Sequence, residues 1–307
     1  MLAAPRVAAV QGFFQTSSKT DLFGSYAWCQ ATAAGLLPIL GDFEIALRNA
    51  LHKALSQHYG GQDSFNWMMT SPNPKVATNP NAAPLPAPHK MGKWMVGDIA
   101  RMQDKLTTAK KRPPSPDDMV AALPFGFWEQ LIKSLDHPSH KSPALQGTIL
   151  AAVFPNAPDL ATTPYVSQAF RDRVTRLLYQ IRDVRNRIGH HDSVWSCPEF
   201  DEQGTTGFFP RRPRHTVKSM GMLADRITWF ASWIDASITD HIHGSDHWAS
   251  FQKLLSRKAL AIYRINGGRA GTTEMLFALQ QESNKKSGVR VDNSFPLLPH
   301  QINQYHF

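Results

Sequence analysis

Residues 181–192 read Ile-Arg-Asp-Val-Arg-Asn-Arg-Ile-Gly-His-His-Asp, and Arg185, Asn186 and His190 are residue types that phosphoryl chemistry uses. RNA carries its own nucleophile, the ribose 2′-hydroxyl, so a protein that cleaves it has only to move protons and stabilise charge. Histidine, with an ordinary pKa of about 6.5, exchanges protons near neutral pH. Arginine offers a permanent, forked charge to the phosphorane oxygens. Asparagine can orient the histidine or bind the phosphate, and none of these roles requires a metal. The same stretch also has a plainer use. Asp172 with Arg176 and Asp183 with Arg187 are spaced for ion pairs on a solvated helix face. A histidine after a helix-ending glycine is favoured by the dipole alone.

A helix must position these side chains. Phe170, Val174, Leu177, Leu178, Ile181, Val184 and Ile188 fall within an arc of about 120° at about 100° per residue. The pattern predicts an amphipathic helix over residues 165–188 whose arc faces a core. Arg185 stands at the border of that arc. Arg182, Asn186 and His190 lie on the adjoining polar side, the last two as i,i+4 neighbours. Gly189 is the expected C-terminal cap, able to turn His190 and His191 off the helical projection. A second Arg-Asn pair, Arg48-Asn49, follows Glu44 and precedes His52. Its spacing to the histidine is one residue short, so it is no second copy, and Glu44 with Arg48 is also an ordinary i,i+4 salt bridge.

The remaining elements are helical as well. Leu36, Ile39, Leu40, Phe43, Leu47, Leu51 and Leu55 mark a buried stripe within residues 23–59, with Pro38 expected to kink the helix or restart it near Gly41 and Asp42. Helices are expected over residues 89–111, from Phe125 to Leu135, over 217–242 and over 247–265, with a short one around 274–281. Residues 60–90 are rich in Pro and Asn and read as a long loop insertion, while 136–164 are again rich in Pro, Ser and His. No period-two series predicts a sheet and no repeat is present. The fold class expected is all-α, with one domain over residues 1–265 and a polar extension over 266–307.

Composition narrows the partners. Thirty-three Lys and Arg against 24 Asp and Glu leave +9, a balance suited to a polyanion. Arg211, Arg212, Arg214 and Lys218 form one basic group, beside Phe208 and Phe209 as stacking surfaces; Lys110, Lys111 and Arg112 form another. Phe125, Phe127 and Trp128 read first as a core anchor and only secondarily as a base-stacking set. His241, His243 and His247 near Asp240 match no strong zinc pattern and are expected to be helix-end surface residues. No metal and no cofactor are expected. Two cysteines, Cys29 and Cys197, imply a reducing compartment rather than a disulfide framework. No apolar run reaches the 18 or so residues of a membrane span, and the N-terminus lacks a signal-peptide core, so a cytoplasmic protein with no membrane partner is expected.

Arg185-Asn186-x-x-x-His190 resembles the Arg-Asn-x-x-x-His signature of HEPN ribonucleases. The order Asp42-Phe-Glu-Ile-Ala-Leu-Arg-Asn49, then Phe125-Gly-Phe-Trp128, then Leu177 through Asp192 is similar to the Abi-like abortive-infection family of the AbiD/AbiF type, over about residues 22–265. The resemblance implies a HEPN-like helical bundle, prokaryotic antiphage defence and metal-independent endoribonuclease activity. It makes Arg185, Asn186 and His190 catalytic. It also sets the helix carrying Glu44, Arg48 and Asn49 beside the signature helix. From their position near the motif or in the basic group, Arg182, His191, Arg211, Arg212 and Arg214 are expected as further RNA-binding or cleft-supporting residues. A homodimer is expected, because in-line displacement wants a base and an acid on opposite sides of one phosphorus and the chain supplies one complete signature; a monomer that completes its site with Glu44, Arg48 or His52 is the competing arrangement. The alternative is a non-catalytic RNA-binding protein that holds a small structured RNA.

Overall fold

The computed structural model describes residues 3–59, 67–68, 93–135, 145–192, 194–269, 271–272 and 274–276. Its spine is α2 (Lys19–Tyr59), a 41-residue helix about 60 Å long. Pro38 neither breaks nor restarts it. Proline forfeits one backbone hydrogen bond, at a cost of about 3 kcal/mol. The carbonyl it leaves is that of Ala34, on the exposed side of the helix, where water can serve it. On the opposite side Leu36, Ile39, Leu40 and Phe43 are all at most 3% exposed, and each such burial is worth about 1.5–3 kcal/mol. Burial on both sides of the proline therefore outweighs the lost bond.

Around this spine pack α1 (Ala4–Phe14), α4 (Pro116–Ala122), α5 (Phe125–Ser134), α6 (Leu145–Val153), α7 (Gln168–Gly189), α8 (Pro213–Ser232), α9 (Ala236–Gly244), α10 (Asp246–Leu254) and α11 (Arg257–Asn266), while α3 (Lys93–Lys110) lies against α4 and α5. No strand forms among the described residues, apart from one isolated antiparallel bridge between Phe200 and Thr206. The architecture is all-α. The C-terminal two-thirds of α2 lies in a large core with α5, α6, α7 and α8, and its first turns lie in a smaller one built from Phe14, Trp28, Cys29, Trp195, Leu260 and Tyr263. Gly24 lets α11 cross α2 closely: a Cβ there would stand 2.0 Å from the Tyr263 carbonyl oxygen.

Several element boundaries differ from expectation, each for a local reason. The stretch expected as one helix over 217–242 is two, because Asp235 accepts from the Ser237 N–H and caps a new start. The stretch over 247–265 divides likewise at Ser256, which accepts from the Ala259 N–H. Within the Pro- and Ser-rich 136–164 stretch, α6 forms and buries Leu145, Ile149, Leu150 and Val153. From the expected 60–90 loop, Trp67 and Met68 are described, and both are core residues; the rest of that loop and all residues beyond 276, including most of the helix expected around 274–281, lie outside the described residues. Phe125, Phe127 and Trp128 are buried, as an anchor requires. No described helix is long and apolar enough to cross a membrane.

Candidate functional site

The stripe of α7 is seated as its periodicity predicts: Phe170, Val174, Leu177, Leu178, Ile181, Val184 and Ile188 are 0–7% exposed. Ser167 caps its start by accepting from the Phe170 N–H at 3.1 Å. The end is not the expected one. Gly189 is the last helical residue, and the left-handed position falls on His191, with φ of 52°. The His191 N–H donates to the Ile188 carbonyl at 3.0 Å and the Asp192 N–H to the Arg187 carbonyl at 2.7 Å. This pair of bonds is a Schellman termination, which usually carries glycine at the left-handed residue. It fixes His190 as the hinge between helix and turn, its N–H bonded to the Asn186 carbonyl at 2.9 Å and its ring exposed.

Arg185 and Asn186 are exposed one turn earlier. The Arg185 guanidinium extends over α2 to Glu44, with Nε 4.0 Å from a carboxylate oxygen. The other oxygen of Glu44 is 3.9 Å from Arg48, which also donates to the Ala121 carbonyl of α4 at 3.3 Å. Glu44 thus stands between two arginines, at the outer limit of ion-pair distance from both. Asn49 faces solvent about 140° further round α2 and does not join them. His52 is no part of the site: it is 5% exposed and its Nδ1 accepts from Trp67 Nε1 at 3.0 Å. His191 stands 3.3 Å from Gln30 of α2, through Nδ1.

Behind the motif lies a carboxylate that residue types alone did not single out. Glu129, 1% exposed and next to the aromatic anchor, meets Lys133 at 2.7 Å and Arg182 at 2.5 Å. Arg182 is therefore tied inward to α5, and its charge steadies α7 rather than facing a ligand freely. Asp183 and Arg187 form the expected pair at 2.8 Å, whereas Arg176 donates to the Gln203 carbonyl instead of meeting Asp172. Neither cysteine is poised as a nucleophile. Burial pushes the Cys197 thiol up to about 12 and raises the Cys29 thiol well above its ordinary value.

The basic groups divide. Lys110 and Arg112 are both spent on Asp118, the latter at 3.1 Å. Arg211, Arg212 and Arg214 stand exposed at the start of α8 and form no ion pair among the described residues. That start is joined to the turn after the motif, since Thr216 donates to the carbonyl of Trp195 at 2.8 Å, four residues beyond His191. His241 and His243 occupy the exposed last turn of α9, and His243 packs on Trp248 at 4.4 Å. Among the described residues no group of three or more His, Cys, Asp or Glu is arranged to hold a metal ion.

Arg185, Asn186 and His190 thus share one exposed helix end, with a carboxylate 4.0 Å from Arg185 and a following turn bonded to the basic start of α8. Such a site can bind a phosphodiester, stabilise added negative charge and exchange a proton. No known protein family, curated protein or solved structure matches the chain.

Proposed function

We propose that the protein is a metal-independent endoribonuclease of the HEPN class, acting in the cytoplasm in prokaryotic antiphage abortive-infection defence. The observation that carries this reading is the presentation of Arg185, Asn186 and His190 together at the exposed end of α7, with Glu44 reaching Arg185. His190 takes the proton of the 2′-hydroxyl, whose oxygen attacks phosphorus. Arg185 neutralises the pentacoordinate phosphorane, and Asn186 orients the histidine or the phosphate. The bond to the 5′-oxygen breaks, and that oxygen receives a proton from a second histidine, leaving a 2′,3′-cyclic phosphate and a 5′-hydroxyl.

The second histidine is His190 of another copy. Leu37 and Ile45 are 45% and 47% exposed on α2, and Ala34 and Gly41 on the same face leave it shallow. This apolar stripe borders Glu44, so covering it with its symmetry mate would bring two signature ends together across a two-fold axis. RNA that the protein merely holds is the competing reading, favoured by the unpaired arginines of α8, which attract RNA whether or not cleavage follows. A ribonuclease assay separates the two. Cleavage that vanishes in His190→Ala while RNA affinity remains supports the enzyme; binding without cleavage in any RNA supports the holder.

A further inference from the structure

Residues 199–208 form a small hairpin whose tip and exit are rigid. Glu199 N–H donates to the Phe208 carbonyl and Gly207 N–H to the Glu199 carbonyl, both at 2.8 Å. Gln180 of α7 donates to Thr206 Oγ1 at 2.8 Å, and Ser219 of α8 donates to Glu199 at 2.5 Å. On this fixed base Phe208 and Phe209 are 46% and 54% exposed. Exposing two adjacent phenylalanines forfeits the burial that normally stabilises such side chains. Phe208 packs edge-on against His215, which accepts from Arg214 Nε at 3.2 Å.

Arg214 in turn lines a groove of about 570 Å³ along α11, within the roughly 300–1,000 Å³ of small-ligand sites. Its floor is the buried Leu260, with Pro213, Ala261 and Ile265 adding apolar surface and Ser17, Ser18 and Thr20 adding polar surface around it. Arg214 and Arg257 stand exposed at its edges with no ion pair among the described residues. The acid in the groove, Asp21, is already engaged by both arms of Arg264 at 2.5 and 2.8 Å, which holds its carboxyl below the usual range. An apolar floor between unpaired cations, continuous with an aromatic shelf, has the form of a nucleotide seat: the floor takes a base, the arginines take the flanking phosphates, and the shelf takes the next bases. Arginines gathered at the positive end of α8 are also mutually unfavourable until an anion joins them.

Resting on the RNA reading above, we infer that the groove between the start of α8 and α11, together with Phe208 and Phe209, is a second, non-catalytic seat for single-stranded RNA. Arg214 and Arg257 are its phosphate contacts and the two phenylalanines its stacking platform. Groove and signature both lie along α2, at Asp21 and at Gln30 beside His191, about 14 Å of helix apart, so the seat would hold the strand beyond the cut.

The test uses the full chain and a fluorescein-labelled 2′-O-methyl RNA 12-mer, which cannot be cut, with anisotropy titrations at several salt concentrations. Arg214→Glu with Arg257→Glu weakens binding at least about tenfold and lowers the salt slope by about 1.4, the value for two single-strand phosphates. Phe208→Ala with Phe209→Ala weakens it about tenfold with the salt slope unchanged, and the paired Tyr variants restore it. Lys53→Glu with Lys105→Glu, both exposed, makes the same charge change elsewhere and has an effect under about twofold. Equal affinity in wild type and groove variants overturns the seat even where ordinary RNA is cleaved. Loss of binding in the groove variants of a protein that cleaves nothing keeps the seat and removes the ribonuclease. Binding of poly-glutamate with the same dependence on both arginines and both phenylalanines assigns the groove to acidic chains and overturns the RNA assignment.

Discussion

Two sets of polar residues along α7 are similar in type and used in opposite ways. In the first half, Arg173 is 1% exposed, donates to the Glu202 carbonyl at 2.8 Å, meets Asp159 at 3.3 Å and lies 4.8 Å above the Trp233 ring. Arg176, and Gln180 just past the midpoint, likewise donate to carbonyls of the same hairpin, those of Gln203 and Gly204. In the second half, Arg185, Asn186 and His190 face solvent, and the one ion-pair contact among them is the long reach of Arg185 to Glu44. A single helix therefore holds a spent set, which reaches as far as Arg182 on Glu129 and Arg187 on Asp183, and an available set at its exposed end. Polar residue type does not separate them; what separates them is whether another segment of the chain spends their hydrogen bonds.

That contrast can be broken from either end. The largest effect is expected at Arg173. Arg173→Ala should cost about 3 kcal/mol in urea unfolding, through lost packing, lost cation–π contact and an unserved carbonyl. A loss near zero would show that the hairpin does not depend on the first half of α7. Next comes Gly204→Ala. Its φ is 71° and an added Cβ would stand 2.7 Å from Arg176 and Leu177 of α7, so a destabilisation of about 2 kcal/mol is expected from the same measurement.

The other end should respond in rate and not in stability. Glu44→Gln frees Arg185 and is expected to slow RNA cleavage about fivefold, close to 1 kcal/mol of barrier, with unfolding unchanged within about 0.5 kcal/mol. A stability loss without a rate change would make Glu44 a structural residue like Arg173. The smallest effect is at His191, whose left-handed φ suits glycine. His191→Gly should stabilise the protein by about 0.5 kcal/mol and leave cleavage nearly intact. Loss of cleavage as deep as that of His190→Ala would move the proton carrier one residue along.

How much of this was legible beforehand depended on whether a signal was periodic or tertiary. The seat of α7 was legible because seven large apolar side chains share one face. The joins at Asp235 and Ser256 were not read, since apolar spacing carries on across them and a single capping residue is a small mark. Pro38 misled for the opposite reason: its local penalty is plain, while the burial that outweighs it depends on helices distant in sequence. The α6 helix was hidden among Pro138, Ser142 and Pro143. Arg185, Asn186 and His190 stood out by spacing, and Glu44 by its pairing with Arg48. Glu129 was missed, although it lies one helical turn after the buried Phe125 and so shares that face. The groove had no mark at all, because Arg214 and Arg257 become neighbours only once α8 and α11 pack.

The central claim is that the exposed end of α7 cleaves RNA with its own side chains. Its most direct test is incubation of single-stranded RNA with wild-type protein and His190→Ala in EDTA, with the ends of the products identified. The account predicts 2′,3′-cyclic phosphate ends from the wild type in EDTA, no cut at a 2′-deoxy position, and a rate about 10²–10⁴ lower in a folded His190→Ala. Cleavage that stops in EDTA and returns with magnesium or zinc, or that proceeds equally in His190→Ala, would contradict it.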